Sequence, residues 1–289
     1  MKGGAALFKK ALVAIDASGP SMELLNAVGD LQKMGMQELL IVHVIRTELA
    51  GIGLGNRRKQ FLKNIEKKKD EFVAGGMDVT VRQPIGKPSE EIKHLAEEEN
   101  VDLILIGSLG EGSLVRRIFL GSTVTEVVRS IKKTVLIEKY RHEGSAFSRV
   151  PIFKDNQPPT ALLATDFSSS SLHVFDTFLE NPGIFNKLIL ISVVDEGYTE
   201  EQVQENRDKA AAKLAEWKAE FEEKGYEVQT EVAVGVASEL VVEAAERNDV
   251  SLVAVSKRGR SMIDELAVGS TADHIIRRST RPVLLLRAK

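Results

Sequence analysis

The chain has no cysteine among its 289 residues. That absence removes disulfides, thiolate metal sites and thiol nucleophiles together, and it suits a reducing interior. An excess of either charge sign is also missing. Its 39 basic and 42 acidic side chains leave a formal charge of -3, so there is no broad positive field for nucleic acid or an anionic membrane. No stretch approaches the roughly 18 to 20 apolar residues that a bilayer span needs. The opening MKGGAALFKKALVAID is interrupted by lysines and too short in its apolar part for a secretory h-region. These absences point to a soluble cytoplasmic protein, with nucleic acid and membranes excluded as partners. The five histidines, His43, His94, His142, His173 and His274, show no metal-ligand spacing.

What the chain does have is a repeat. Val101–Lys139 and Val250–Arg287 carry the same pattern of an apolar run, a glycine-bearing loop, Gly-Ser-Thr, a helical stretch and a second apolar run. Asp16 pairs with Asp166 at an offset of 150, Gly86 with Gly235 at 149, and Gly121 with Gly269 at 148. The length fits two domains of about 140 residues each. They are read as residues 1–139 and 160–289, with 140–159 as linker, because Tyr140 to Pro159 breaks the pattern with charge, Gly, Ser and Pro158-Pro159.

Within each half, short apolar runs alternate with segments of helical period, the signature of βαβ units and a parallel sheet. Strands are predicted at 11–15, 39–44, 79–81, 103–106 and 135–137, then at 161–165, 188–193, 228–232, 252–255 and 283–286. Helices are predicted at 21–34, 57–74, 89–99 and 122–131, then at 169–179, 199–224, 238–247 and 271–278. The fold class is therefore α/β: two tandem, doubly wound, parallel five-stranded sheets flanked by helices. Ser89 and Ser238 read as N-caps followed by early carboxylates, and Gly75-Gly76 and Gly225 as helix stops. Gly51–Gly55 (GIGLG) reads as a mobile loop and Phe167–Ser171 (FSSSS) as a helix cap.

In a doubly wound sheet, ligands sit beyond the carboxyl ends of the strands where the winding reverses. Asp16 and Asp166 follow the first strands. Gly107-Ser108-Leu109-Gly110 and Ser256-Lys257-Arg258-Gly259 follow the fourth, and each loop runs to a Gly-Ser-Thr helix start at Gly121–Thr123 or Gly269–Thr271. Glycine lets backbone amides approach an anion, a helix start presents unpaired N–H groups, and the hydroxyls add donors, so a polyphosphate fits. The aspartates repel phosphate and suit the donors of a base or ribose. The competing readings are a turn or cap for Asp16 and Asp166, a plain N-cap for each Gly-Ser-Thr, and a solvated loop tip for Lys257 and Arg258. Asp264 and Glu265 read either as solvent-exposed acids or as help in holding a divalent ion.

Both halves resemble the universal stress protein domain in its nucleotide-binding branch, marked by G-x2-G-x9-G-[ST] after the fourth strand and an aspartate closing the first. The first half has Gly107, Gly110, Gly121 and Ser122, with ten residues instead of nine before Gly121. The second has Gly259, Gly269 and Ser270 at the right spacing, with Ser256 in place of the first glycine. The resemblance implies an adenine nucleotide (ATP, ADP or AMP), with Mg²⁺ as a possible companion. Asp16 or Asp166 and the backbone of Val44 or Val193 would meet the base, and Gly107 or Ser256 the ribose. Gly110, Gly121, Ser122 and Thr123, or Gly259, Gly269, Ser270 and Thr271, would hold the phosphates, with the second site favoured. It also implies pairing through the last strands, as an intramolecular pseudo-dimer able to form a homodimer.

No G-x-x-x-x-G-K-[ST] occurs, so P-loop hydrolysis has no lysine and hydroxyl pair in place. No Ser-Gly-Gly-rich loop follows the first strand of either half, as a pyrophosphatase-type nucleotide enzyme would need. The function expected is a ligand-dependent stress-response or regulatory module without a dedicated catalytic apparatus. The alternatives are slow Mg²⁺-dependent ATP hydrolysis or phosphotransfer, and an interaction scaffold that binds no nucleotide.

Overall fold

The computed structural model describes residues 6–16, 18–49, 56–108, 120–143, 146–194, 199–259 and 267–287. They form two compact units, the first Phe8–Arg149 and the second beginning at Val150.

The first unit runs β1 (Lys10–Ile15), α1 (Gly19–Asn26), α2 (Val28–Lys33), β2 (Glu38–His43), α3 (Asn56–Ala74), β3 (Asp78–Arg82), α4 (Pro88–Glu98), β4 (Leu103–Gly107), α5 (Ser122–Ser130), β5 (Thr134–Glu138), β6 (Tyr140–Glu143) and β7 (Ala146–Arg149). Its five main strands are parallel in the order β3-β2-β1-β4-β5. The second unit runs β8 (Thr160–Thr165), α6 (Ser169–Leu179), β9 (Lys187–Val194), α7 (Glu200–Glu223), β10 (Glu227–Val234), α8 (Ala237–Arg247), β11 (Leu252–Ser256), α9 (Ser270–Arg278) and β12 (Val283–Leu286). Its order is β10-β9-β8-β11-β12, again all parallel. In both units the winding reverses between the first and fourth strands. A doubly wound sheet opens its ligand crevice at that junction.

The strands that flank the reversal are unbroken apolar runs because helices cover both faces of the sheet. All five residues of β4 are buried, as are Leu252–Val255 of β11. The repeat extends to the helix stops. Gly76 (φ +87°) and Gly225 (φ +90°) take the left-handed conformation that a Cβ disfavours. The following amides, of Met77 and Tyr226, close back onto Phe72 O and Phe221 O at 3.1 and 3.2 Å.

Three local features differ from the sequence reading. The helix expected over 21–34 is broken at Ala27, where Ala27 N to Leu24 O and Asp30 N to Ala27 O, both 3.0 Å, tighten the turn into 3₁₀ geometry. Ser89 and Ser238 are not caps. Lys87 is the N-cap of α4 because Pro88 sets the helical φ at the first position, and Val236 is the N-cap of α8. Finally, residues 140–149 form an antiparallel hairpin of β6 and β7, with Tyr140 opposite Arg149.

Candidate functional site

In the second unit, β8 delivers Asp166 to the mouth of the crevice. The chain then turns through Phe167, a non-glycine residue at φ +59°, whose amide is held by Thr165 Oγ1 at 2.9 Å. Asp166 Oδ1 accepts from Ser168 N at 3.0 Å, and Ser168 caps α6 by accepting from Ser171 N at 3.3 Å. The serine run is thus a cap, and it fixes the carboxylate beside the fourth-strand loop. A Cβ placed on Gly259 would lie 3.1 Å from Asp166 Oδ2.

A cavity of about 310 Å³ opens there, lined by Asp166, Val193, Ser256, Arg258, Gly259, Gly269, Ser270 and Thr271. It lies at the lower end of the roughly 300–1,000 Å³ usual for small-molecule sites. Val241, Val255 and Ile275 supply its apolar side. Sequence reasoning missed Val241 and Ile275, since both sit on apolar helix faces that read simply as core. The helix α9 starts at Gly269 (φ -59°, ψ 144°) with no side-chain cap. Its first-turn amides have no intrahelical acceptors, and the Ser270 and Thr271 side chains are exposed. The plain N-cap reading of Ser270 and Thr271 therefore does not hold.

Lys257 is absent from the lining. It is 3% exposed, its amide donates to Leu286 O and its carbonyl accepts from Gly269 N, both at 2.9 Å. It ties the loop to β12 and α9 instead of forming a solvated tip. Arg258 does line the cavity, with its Nε buried and without a hydrogen-bond partner. Ser256 directs its hydroxyl to Arg258 O at 2.6 Å and so closes its own loop. A second, more polar cavity of about 570 Å³ meets the first at Asp166 and Val193 and is walled by Gln202, Asn206 and Lys209 of α7. No sequence motif announced it.

The first unit arranges the same residue types differently. Asp16 Oδ1 accepts from Ser18 N at 3.0 Å, from Ser21 Oγ at 2.6 Å and from Ser18 Oγ, while Asp16 N donates to Ser21 Oγ at 2.9 Å. Val44 follows β2 and is half-buried. Gly121 begins α5 with no side-chain cap and donates to Ser108 O at 3.3 Å, leaving Ser122 exposed and Thr123 half-buried. Gly107 stands opposite Glu138 on β5. A Cβ on Gly107 would lie 2.5 Å from the hydroxyl oxygen of Tyr140.

Around that phenol lies a group of buried charges. Arg149 Nη1 is 2.8 Å from Asp30 Oδ2 and 3.7 Å from Glu138 Oε1. Burial raises the Glu138 carboxyl to about 8, with Arg149 opposing and Asp30 reinforcing the shift. Burial, with help from Glu138, Asp16 and Glu23, also holds Tyr140 well above the usual phenol range. Gly110, the GIGLG loop, Asp264 and Glu265 lie outside the described residues. Among the described residues, no group of three His, Asp or Glu could hold a metal ion, and no helix is long and apolar enough to cross a membrane.

Two five-stranded parallel units, each with an aspartate and a Gly-Ser-Thr helix start at the reversal of its winding, define a tandem, doubly wound α/β protein. The model of the universal stress protein family matches residues 7–139 and 159–287, and the chain belongs to that family. Universal stress protein Slr1230 of Synechocystis is 28% identical over 186 residues, which cover 64% of this chain and 58% of that relative. The chain thus spans little more than half the length of Slr1230. Universal stress protein YxiE of Bacillus subtilis is 33% identical over 147 residues, 45% of this chain and 99% of YxiE. In fold, the crystal structure of a universal stress protein from Archaeoglobus fulgidus superposes with a TM-score of 0.66. The match is 23% identical and covers 98% of this chain and 97% of that one.

Proposed function

We propose that the second unit binds an adenine nucleotide, and that the chain acts as a nucleotide-responsive stress or regulatory module. One observation carries this reading: eight of the nine second-half residues singled out in the sequence line one cavity.

The charge pattern orients the ligand. Arg258 and the uncapped start of α9 form the cationic and amide-rich end, so phosphate lies along Gly269, Ser270 and Thr271. A helix dipole alone contributes about 0.3–1 kcal/mol, rising to about 2 when partly buried. Micromolar binding needs about 8 kcal/mol, so the amides, the hydroxyls and the guanidinium must act together. The Asp166 carboxylate excludes phosphate from Gly259, which is assigned to the ribose side with Ser256. Asp166 and the backbone of Val193 then meet the donors and acceptors of the base. Magnesium, if it accompanies the ligand, is carried on the phosphates.

No protein group in this arrangement is placed to activate water or carry a phosphoryl group, so the nucleotide acts through binding. Ligand at 100 times its Kd adds about 2.7 kcal/mol to the folded state, enough to bias a marginal protein interface. The test is thermal denaturation with ATP, ADP and AMP, each with and without Mg²⁺. The expected result is a ligand-dependent rise in Tm that Gly269→Val removes and Gly121→Val leaves in place. No rise with any adenylate refutes the reading.

A further inference from the structure

The reversal point of the first unit has a covering that the described residues of the second unit lack. Gly107 and Ser256 are counterparts: each ends the fourth strand of its unit, one opposite Glu138 and the other opposite Leu286. Ser256 borders the open cavity. At Gly107 the corresponding space holds the Tyr140 phenol, with its hydroxyl oxygen and two ring carbons 2.5, 3.2 and 3.3 Å from where a side chain would begin. That oxygen is buried and has no hydrogen-bond partner. A buried, unpaired hydroxyl is costly, and a phenol seldom stops in such a place unless something else pins it there.

The pin is Arg149. It lies directly across the hairpin from Tyr140, is 13% exposed, and pairs at 2.8 Å with Asp30, itself 5% exposed. Strand β7 packs on α1, the helix whose first turn holds Asp16 through Ser18 and Ser21. The hairpin is therefore fastened to both sides of the gap between Asp16 and the end of β4.

We propose that the first unit holds a second adenine-nucleotide crevice, which the β6–β7 hairpin closes by seating Tyr140 against Gly107 under the clamp of Arg149 on Asp30. The inference rests on the nucleotide reading of the second unit. It gives Gly107 a role independent of any ligand, since a side chain at that position would strike the phenol. It also makes the chain a one-site protein whose capacity doubles when the hairpin lifts. A neutral phenol beside Asp16 presents a single hydroxyl donor, which is the chemistry a ribose or base would bring to the same carboxylate.

The experiment is calorimetric titration of the full chain with ATP, read as stoichiometry. The wild type takes up one ATP per chain, Tyr140→Phe stays at one because the ring remains, and Tyr140→Ala takes up two. Adding Gly121→Val to Tyr140→Ala returns the count to one, which locates the new site in the first unit. Arg149→Gln unpins the same hairpin without deleting the ring and also moves the count above one, so the test survives if Tyr140→Ala fails to fold. Two ATP in the wild type, or one in folded Tyr140→Ala and Arg149→Gln, overturns the plug and leaves the second-unit site standing. No uptake by any of these proteins overturns the nucleotide reading itself.

Discussion

The two units share a strand order, a switch point and a set of helix stops, yet they invest in different places. The second unit is aromatic underneath and open above. Phe175 meets Trp217 and Phe221 at 4.4 and 4.7 Å, and Phe178 meets Phe185 at 5.5 Å. Its crevice is lined by the motif residues themselves. The first unit is packed mainly by Leu24, Leu25, Leu31, Met34 and Ile65, all at most 1% exposed. Its reversal point is overlaid by a hairpin whose charged anchors are buried. The difference teaches that a duplicated motif fixes where a site can form, while the segment that follows the last strand decides whether that site is accessible.

The sharpest way to separate the units is to cut the core of one. Phe221→Ala removes a fully buried ring and is expected to cost the second unit about 3–5 kcal/mol. The single tryptophan, Trp217, lies in that cluster, so its fluorescence reports the loss. Far-UV circular dichroism should show the first unit melting where it did before. Trp217 fluorescence moving no further than it does for a surface substitution would break the comparison.

Acidity probes the other unit. Folded Glu138, with its pKa raised from 4.5 to about 8, keeps a proton that the unfolded chain has released, so its contribution to stability falls as pH rises through that window. Lys139, pushed by burial from 10.5 down to about 7, has lost a proton that the unfolded chain still holds, so stability rises from pH 7 towards 10.5. The first unit should therefore be least stable between about pH 7 and 8, where urea midpoints followed by circular dichroism pass through a minimum. The Trp217 signal of the second unit supplies the reference. Glu138→Gln removes the acid-side slope and leaves the alkaline one.

The smallest effect belongs to a cap. Thr199 forms a capping box with Gln202 at the start of α7. Thr199→Ala is expected to cost about 1 kcal/mol, lowering the midpoint of the Trp217 transition without altering ATP uptake. A change in uptake would show that α7 and its polar cavity take part in the site.

Sequence alone predicted most of the fold, because a parallel strand buried on both faces writes an apolar run and each helix writes its own period. It predicted the α6 cap through the serines after Phe167. It misplaced Ser89 because Pro88 starts that helix one position earlier, and it missed the break at Ala27 because no residue there forbids a helix. The second cavity was legible to the extent that its ligand-facing groups lie in one loop and one helix start. Lys257 was not, since its burial depends on hydrogen bonds to β12 and α9 that no local pattern encodes. Tyr140 was least legible of all: in a charged, glycine-bearing stretch it read as linker, and only the pairing with Arg149 carries it to Gly107.

A crystal structure of the chain grown with ATP tests the central claim most directly. The account predicts phosphate density against Arg258 and the amides of Ser270 and Thr271, with adenine beside Asp166 and Val193, and the Tyr140 ring still on Gly107. A nucleotide seated in the first unit with the second one empty, or no nucleotide at saturating concentration, would contradict it.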